Sequence, residues 1–184
     1  MAMSSRVIEQ AIAARSAATV LRRLRRIDKD DLLAAMGIGL RKGVDEILAA
    51  NGADVDRGRD AGMDEALLDR LTLTPERIEG MAVGLEGVAH LDDPVGEVVR
   101  GWHTPLGVKV EQVRVPIGVI GIIYEARPNV TSDAAGICLK SGNACLLRGS
   151  SSALESNRAV IAAMRSRLPE EIREAVQLLS LIHI

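Results

Sequence analysis

The stretch Ile117-Gly118-Val119-Ile120-Gly121-Ile122-Ile123 decides the fold class. It is a continuous Ile/Val-rich run without alternation, which reads as a strand buried on both faces of a parallel sheet. The residues after it fit a βαβα unit. A loop spans 125–129, a helix runs from about Thr131 to Ser141 with Gly142-Asn143 as its stop, and 144–147 is a second short apolar strand. A turn at 148–151 comes next. Ser152-x-x-Glu155 then matches a capping box opening a helix to Leu168. A right-handed crossover is expected of such a unit.

Upstream, two β-type segments at 97–102 and 108–115 flank His103-Thr104-Pro105-Leu106-Gly107, a plausible hairpin with a five-residue loop. Val108, Val110 and Val113 alternate imperfectly with polar residues, as expected of a strand with one wet face. The first ninety residues read as helices. Apolar residues recur at spacings of three and four over 5–26. Asp28 can cap a second helix to about Ala50, stopped by Asn51-Gly52. Residues 53–62 carry no decisive signal. A short helix over 64–70 follows, and Thr74-Pro75 supplies an N-cap and first helical position for another ending near Leu91.

The 184 residues suffice for one ordinary domain or one with a small appendage. There is no Phe, one Trp and one Tyr, so the core must be aliphatic. Net charge is −2 with both signs spread along the chain, which gives no footprint for nucleic acid. The basic run Arg22-Arg23-Leu24-Arg25-Arg26 reads as cations near a helix C-terminus. With no secretory h-region and no apolar run long enough for a bilayer, a soluble cytoplasmic protein is expected. Cys138 and Cys145 lie in apolar stretches and read as buried and inert. Neither they nor the three scattered histidines make a metal-ligand spacing, so no metal site is expected.

In an open parallel sheet, ligands bind beyond the carboxyl ends of the strands. Two loops occupy that edge, 124–130 and 148–152. The second gathers the Arg148 guanidinium, three serine hydroxyls and a helix N-terminus, which is competent for an anion and equally reads as a capped helix with an incidental arginine. The dinucleotide fingerprint G-x-G-x-x-G is missing. In the first loop, Glu125, Arg127 and Asn129 around Pro128 are candidate site residues or simply good turn chemistry.

The run 115–131, reading V-P-I-G-V-I-G-I-I-Y-E-A-R-P-N-V-T, closely resembles the signature of the γ-glutamyl phosphate reductase family. So do Asp133-Ala134-Ala135, Cys138-Leu139-Lys140-Ser141-Gly142-Asn143-Ala144, Leu147-Arg148-Gly149-Ser150, and upstream Leu73-Thr74-Pro75-Glu76-Arg77-Ile78 and Asp93-Pro94-Val95-Gly96-Glu97. The resemblance extends to about Leu178. It implies an α/β, aldehyde dehydrogenase-like fold: a helical N-terminal region, an oligomerisation hairpin at 97–115, then the first part of a parallel-sheet cofactor domain.

By resemblance the activity is NADPH-dependent reduction of γ-glutamyl 5-phosphate to glutamate 5-semialdehyde, in proline biosynthesis. A cysteine thiolate displaces phosphate from the acyl carbon, and hydride transfer to the thioester releases the aldehyde. Asn129 matches the superfamily's oxyanion-holding Asn. Ile123, Tyr124, Glu125, Ala126 and Arg127, with Arg148, Gly149, Ser150 and Ser151, match cofactor-side positions. Ser151 stands where NAD-preferring relatives often carry Glu, which favours NADPH. General aldehyde dehydrogenases usually place Pro-Trp before that Asn, unlike Arg127-Pro128 here. The family's nucleophilic cysteine lies beyond residue 184, as does the catalytic domain, so this chain is expected to be inactive alone. The alternative is a non-catalytic nucleotide-binding or oligomerising fragment. Residues 179–184 leave the family pattern and are expected to be a non-native tail.

Overall fold

The computed structural model describes residues 2–179. Five helices lead the chain: α1 (Ala2–Leu21), α2 (Arg26–Lys42), α3 (Val44–Asp60), α4 (Glu65–Leu71) and α5 (Pro75–His90). A hairpin of β1 (Val98–His103) and β2 (Lys109–Val113) follows. Then come β3 (Val119–Ile123), α6 (Asn129–Lys140), β4 (Ala144–Arg148), a 3-10 turn (Ser151–Ala153), α7 (Leu154–Arg165), α8 (Glu170–Arg173) and β5 (Val176–Leu178).

The expected βαβα unit is present and is extended by β5. The strands run parallel in the order β3-β4-β5. β4 is central and buried on both faces, between α1 and α6. α7 packs on β5, and α2 joins α5, α6 and α7 in one aliphatic core. The Leu179 N–H donates to the Leu147 carbonyl at 2.8 Å, continuing the ladder by one residue. The rest of the expected tail, 180–184, lies outside the described residues.

β3 departs from expectation. It is half-buried to exposed rather than buried on both faces, and Ile117 and Ile123 stand open to solvent. The reason is topological, because β3 is an edge strand whose outer ladder has no partner among the described residues. β4, with a similar apolar run, occupies the buried centre. The hairpin forms with Trp102 opposite Val110 and His103 opposite Lys109. It stands off the body with both faces exposed, Val110 alone being half-buried, so no dry face exists.

The N-terminal helices break elsewhere than their sequence suggests. α1 ends at Leu21, and Arg22 and Arg23 fall in a turn. Asp28 is the third residue of α2, its carboxylate accepting from the Arg25 backbone N–H at 3.0 Å. The stop is Gly43, and α3 runs straight through Asn51-Gly52. Asn51 is tolerated there because both its donors and its oxygen are used tertiarily. Its amide donates to the Leu71 carbonyl at 2.8 Å and Ser156 Oγ at 3.0 Å, and its oxygen accepts from the Leu73 N–H at 2.7 Å. A buried, satisfied amide offsets a weak helix propensity. Thr74 caps α5 with Pro75 at its first position, as expected, and Asp64 caps α4.

Two ion pairs fasten the layers. Lys29, buried in α2, meets Asp93 at 2.5 Å in the α5–β1 connection. Lys140, buried at the end of α6, meets Asp30 and donates to the Ala89 carbonyl at 2.7 Å. Gly142 follows α6 at φ +74, a left-handed conformation that favours glycine.

Candidate functional site

Parallel pairing brings the ends of β3 and β4 to one edge, with Ile123 opposite Arg148. The Tyr124 N–H donates to the Arg148 carbonyl at 3.0 Å, which joins the two loops as they leave the sheet. The Tyr124 ring then lies against Gly149, where a Cβ would sit 3.1 Å from the ring edge and closer still to Asn157 Nδ2. Gly149 is therefore required by close approach. The Tyr124 hydroxyl donates to Thr131 Oγ1 at 2.8 Å, and that hydroxyl donates to Asn157 Oδ1 at 2.9 Å. Burial pushes the phenol up to about 12, partly offset by the Thr131 contact, so it stays a neutral donor. Asn157 Nδ2, fully buried, has no acceptor among the described residues.

The Arg148–Ser151 segment is half-buried, with Ser151 exposed. The expected Ser152/Glu155 capping box does not form. Instead Ser150 Oγ accepts from the Ser152 N–H at 3.3 Å and caps the 3-10 turn, so α7 starts only at Leu154. Glu155 turns to Arg158 at 2.6 Å. Among the described residues no carboxylate comes within ion-pair distance of the Arg148 guanidinium, and the segment itself carries no acid. Ile123 is exposed at the strand end. Ala126 packs on the small cluster Val55, Leu71 and Ala153, which docks the first loop onto α3 and the 3-10 turn.

Asn129 opens α6 immediately after Pro128, its side chain exposed. It lines a cavity of about 430 Å³ together with Arg127 and Asp133 from one side and Arg70, Arg77 and Met81 from the other. Arg77 organises the far wall. Its guanidinium donates to the Thr72 carbonyl at 2.7 Å and to Asp69 Oδ1 at 2.8 Å. Arg127 Nε lies 2.8 Å from Glu125 Oε1, yet off the N–H direction, so the charges pair while that N–H lacks an acceptor. Asp133 is exposed, yet partial desolvation raises its carboxyl, with the Asn129 amide offsetting part of the rise.

The expected site residues thus divide into two groups. Tyr124 and Gly149 touch, with Ser150 and Ser151 beside them, whereas Arg127 and Asn129 face a separate cavity that Arg148–Ser151 do not line. Sequence reasoning passed over Arg70, Arg77, Asp133, Thr131 and Asn157. The signal available was their place in or beside the family-like runs, since Arg77, Thr131 and Asp133 all belong to those runs. The cysteines are buried as expected. The hydrogen bond with the neighbouring Cys138 thiol, and then burial, push the Cys145 thiol up, away from a reactive thiolate.

No family model matches the chain. It is 99% identical over 178 residues to the γ-glutamyl phosphate reductase of Cutibacterium acnes, covering 97% of this chain and 43% of that protein. A crystal structure of γ-glutamyl phosphate reductase from Thermotoga maritima superimposes with a TM-score of 0.89 at 43% identity, covering 94% of this chain and 42% of that one. A probable aldehyde dehydrogenase from Listeria monocytogenes shares the fold at a TM-score of 0.66 and 13% identity, over 95% of this chain and 36% of that one. The chain spans less than half the length of the curated relatives it matches.

Proposed function

We propose, for a chain that belongs to the γ-glutamyl phosphate reductase family, that it forms the cofactor-side part of an NADPH-dependent glutamate-5-semialdehyde dehydrogenase. The whole enzyme reduces γ-glutamyl 5-phosphate to glutamate 5-semialdehyde, in the cytoplasm, for proline biosynthesis. Among the described residues no helix is long and apolar enough to cross a membrane. Residues 1–178 belong to the NADP-binding domain, the exposed hairpin within 97–115 is an oligomer contact, and 179–184 is not native sequence.

One observation carries this reading. The Asn129 side chain opens onto a cavity at the start of α6, and the separate loop after β4 carries an arginine with no acid near it among the described residues. The aldehyde dehydrogenase-like fold implies a nicotinamide cofactor. The residues present fit one bearing a 2′-phosphate, because Arg148, Ser150 and Ser151 offer a cation and hydroxyl donors with no carboxylate to repel a dianion. NADPH supplies the hydride when bound. Tyr124 and Gly149 set the backbone of this wall.

Asn129 acts on the acyl group. As a thiolate adds to the acyl carbon, the carbonyl oxygen gains charge, and the Asn129 amide donates to it until phosphate leaves with the C–O bonding pair. The same donor serves the second addition, which ends in aldehyde and free thiolate. Cys138 and Cys145 are buried away from this cavity, so the nucleophile comes from the portion of the enzyme outside this chain. In the full-length reductase, Asn129→Ala should lower kcat by about 10²–10³ with the NADPH KM unchanged. Unchanged kcat would remove Asn129 from the mechanism.

A further inference from the structure

The charged lining of the cavity beside Asn129 is unevenly partnered. Arg77 is committed to Asp69 and the Thr72 carbonyl, and Arg127 is paired with Glu125. Two groups remain. Arg70, at the end of α4, has no carboxylate within ion-pair distance among the described residues, and Asp133, one turn into α6, has no cation within that distance. Asp133 also leans on α5, where a Cβ at Gly84 would stand 3.7 Å from its Oδ1. One unmatched acid and one unmatched base in a single cavity are the complement of an α-amino acid head group.

We infer that this cavity is the amino-acid subsite, in which Asp133 receives the α-ammonium and Arg70 the α-carboxylate of the glutamyl substrate. The inference rests on the reductase reading, since it places the acyl carbon at Asn129. From that carbon to the α-carbon is three bonds, about 4 Å extended. Asn129 and Asp133 line the same cavity four residues apart on α6, a backbone rise of about 6 Å, with side chains that approach each other, so both can reach one substrate of this length. The cavity volume, about 430 Å³, is in the range of small-ligand sites. An acyl-phosphate group fits less well there, because Asp133 would face a dianion. Asp133 is exposed, yet partial desolvation without a cation already raises its carboxyl, and an ammonium would relieve it.

Arg127, in the loop after β3, also lines this cavity, and its pairing with Glu125 holds the wall next to Asn129.

The test uses the full-length reductase in the reverse direction, with glutamate 5-semialdehyde, phosphate and NADP⁺. Asp133→Asn and Arg70→Gln should each raise the semialdehyde KM about tenfold to a hundredfold. The KM values for phosphate and NADP⁺ should stay unchanged. L-Glutamate should lose potency as a competitive inhibitor of Asp133→Asn, whereas glutarate, which lacks the ammonium, should inhibit wild type and variant alike. Gly80→Leu is a charge-free control. Gly80 lines the cavity and a Cβ there meets nothing within 4 Å, so leucine should fit the fold, fill the cavity and raise the same KM. The inference is overturned if Asp133→Asn retains the preference for glutamate over glutarate, or if the phosphate KM rises in place of the semialdehyde KM. If wild type shows no NADP⁺-dependent turnover, the reductase reading fails. Calorimetric titration of L-glutamate into wild type and Asp133→Asn then decides the subsite alone, equal affinity refuting it.

Discussion

Gly149→Ala is the sharpest probe of how the two loops are locked. The added methyl would press on Asn157 Nδ2 and stand 3.1 and 3.2 Å from two atoms of the Tyr124 ring. Neither neighbour can withdraw freely. Asn157 is fully buried with its oxygen held by Thr131, and the Tyr124 hydroxyl is held by the same threonine. Overpacking of this kind costs about 1–3 kcal/mol. If the Asn157 amide swings aside, the Thr131 hydrogen bond is lost as well, bringing the total to roughly 2–4 kcal/mol. Because Nδ2 has no acceptor, moving it sacrifices no bond of its own. Asn157→Ala should therefore rescue Gly149→Ala, with a favourable coupling of about 1–2 kcal/mol in a double-mutant cycle. Urea unfolding of the full-length reductase, the two single variants and the double gives the energies, and NADPH titration gives a weaker affinity for Gly149→Ala that the double variant recovers. A single variant within about 0.5 kcal/mol of wild type, or strict additivity in the double, would refute the steric account.

Lys29→Met should destabilise by about 3–5 kcal/mol in chemical denaturation, since Asp93 is left half-buried without its cation; adding Asp93→Asn should recover most of that loss. Asn51→Leu strands the Leu73 N–H and the Leu71 carbonyl and should cost roughly 3 kcal/mol, read as a lowered melting temperature. Asp133 gives a pH signature. Its folded pKa is raised by partial desolvation although the residue is exposed, so the native state holds that proton slightly more tightly, and the small associated stability is present below the ordinary value of about 3.9 and lost as pH rises through the raised one. Asp133→Asn should thus be more stable than wild type at neutral pH, with the gap closing below about pH 4 in parallel melts. The 184-residue chain by itself should self-associate, because β3 presents an open edge beside the exposed Ile117 and Ile123; a concentration-independent monomer in sedimentation would contradict this.

Much of the fold could be read locally. The Thr74-Pro75 cap, the hairpin and the strand–helix–strand run are set by neighbours in sequence and appear where the sequence places them, the hairpin loop one residue later than expected because His103 pairs with Lys109. Most of the failures share one cause, that distant partners outvote local signals. Asn51-Gly52 looks like a helix stop until Leu71, Leu73 and Ser156 use the amide. Ser152 looks like a helix cap, but a local competitor wins: Ser150, two residues earlier, caps the 3-10 turn that precedes α7. β3 reads as a central strand, and only the order β3-β4-β5 reveals it as an edge. The loops at 124–130 and 148–152 were legible because strand ends locate them. The cavity was not, because its walls come from 69–81 and 127–133, which nothing in the local pattern joins.

The position of α3 has a consequence for how such sequences can vary. Asn51 holds the chain at Leu71 and Leu73, which leads into the far wall of the cavity, and it also holds Ser156 at the start of α7. One turn along, Asp54 Oδ2 accepts from both the Ser156 N–H at 2.7 Å and its hydroxyl at 2.6 Å. Three side chains on two helices thereby index the wall beside the substrate against the helix that follows the cofactor loop. Exchanging Ser156 removes a hydrogen bond from both Asn51 and Asp54, and exchanging either of those removes one from Ser156, so in a lineage that changes one of them the others are expected to change with it. Positions 51, 54 and 156 would then be inherited as a single character, although none touches a ligand and 102 residues separate Asp54 from Ser156.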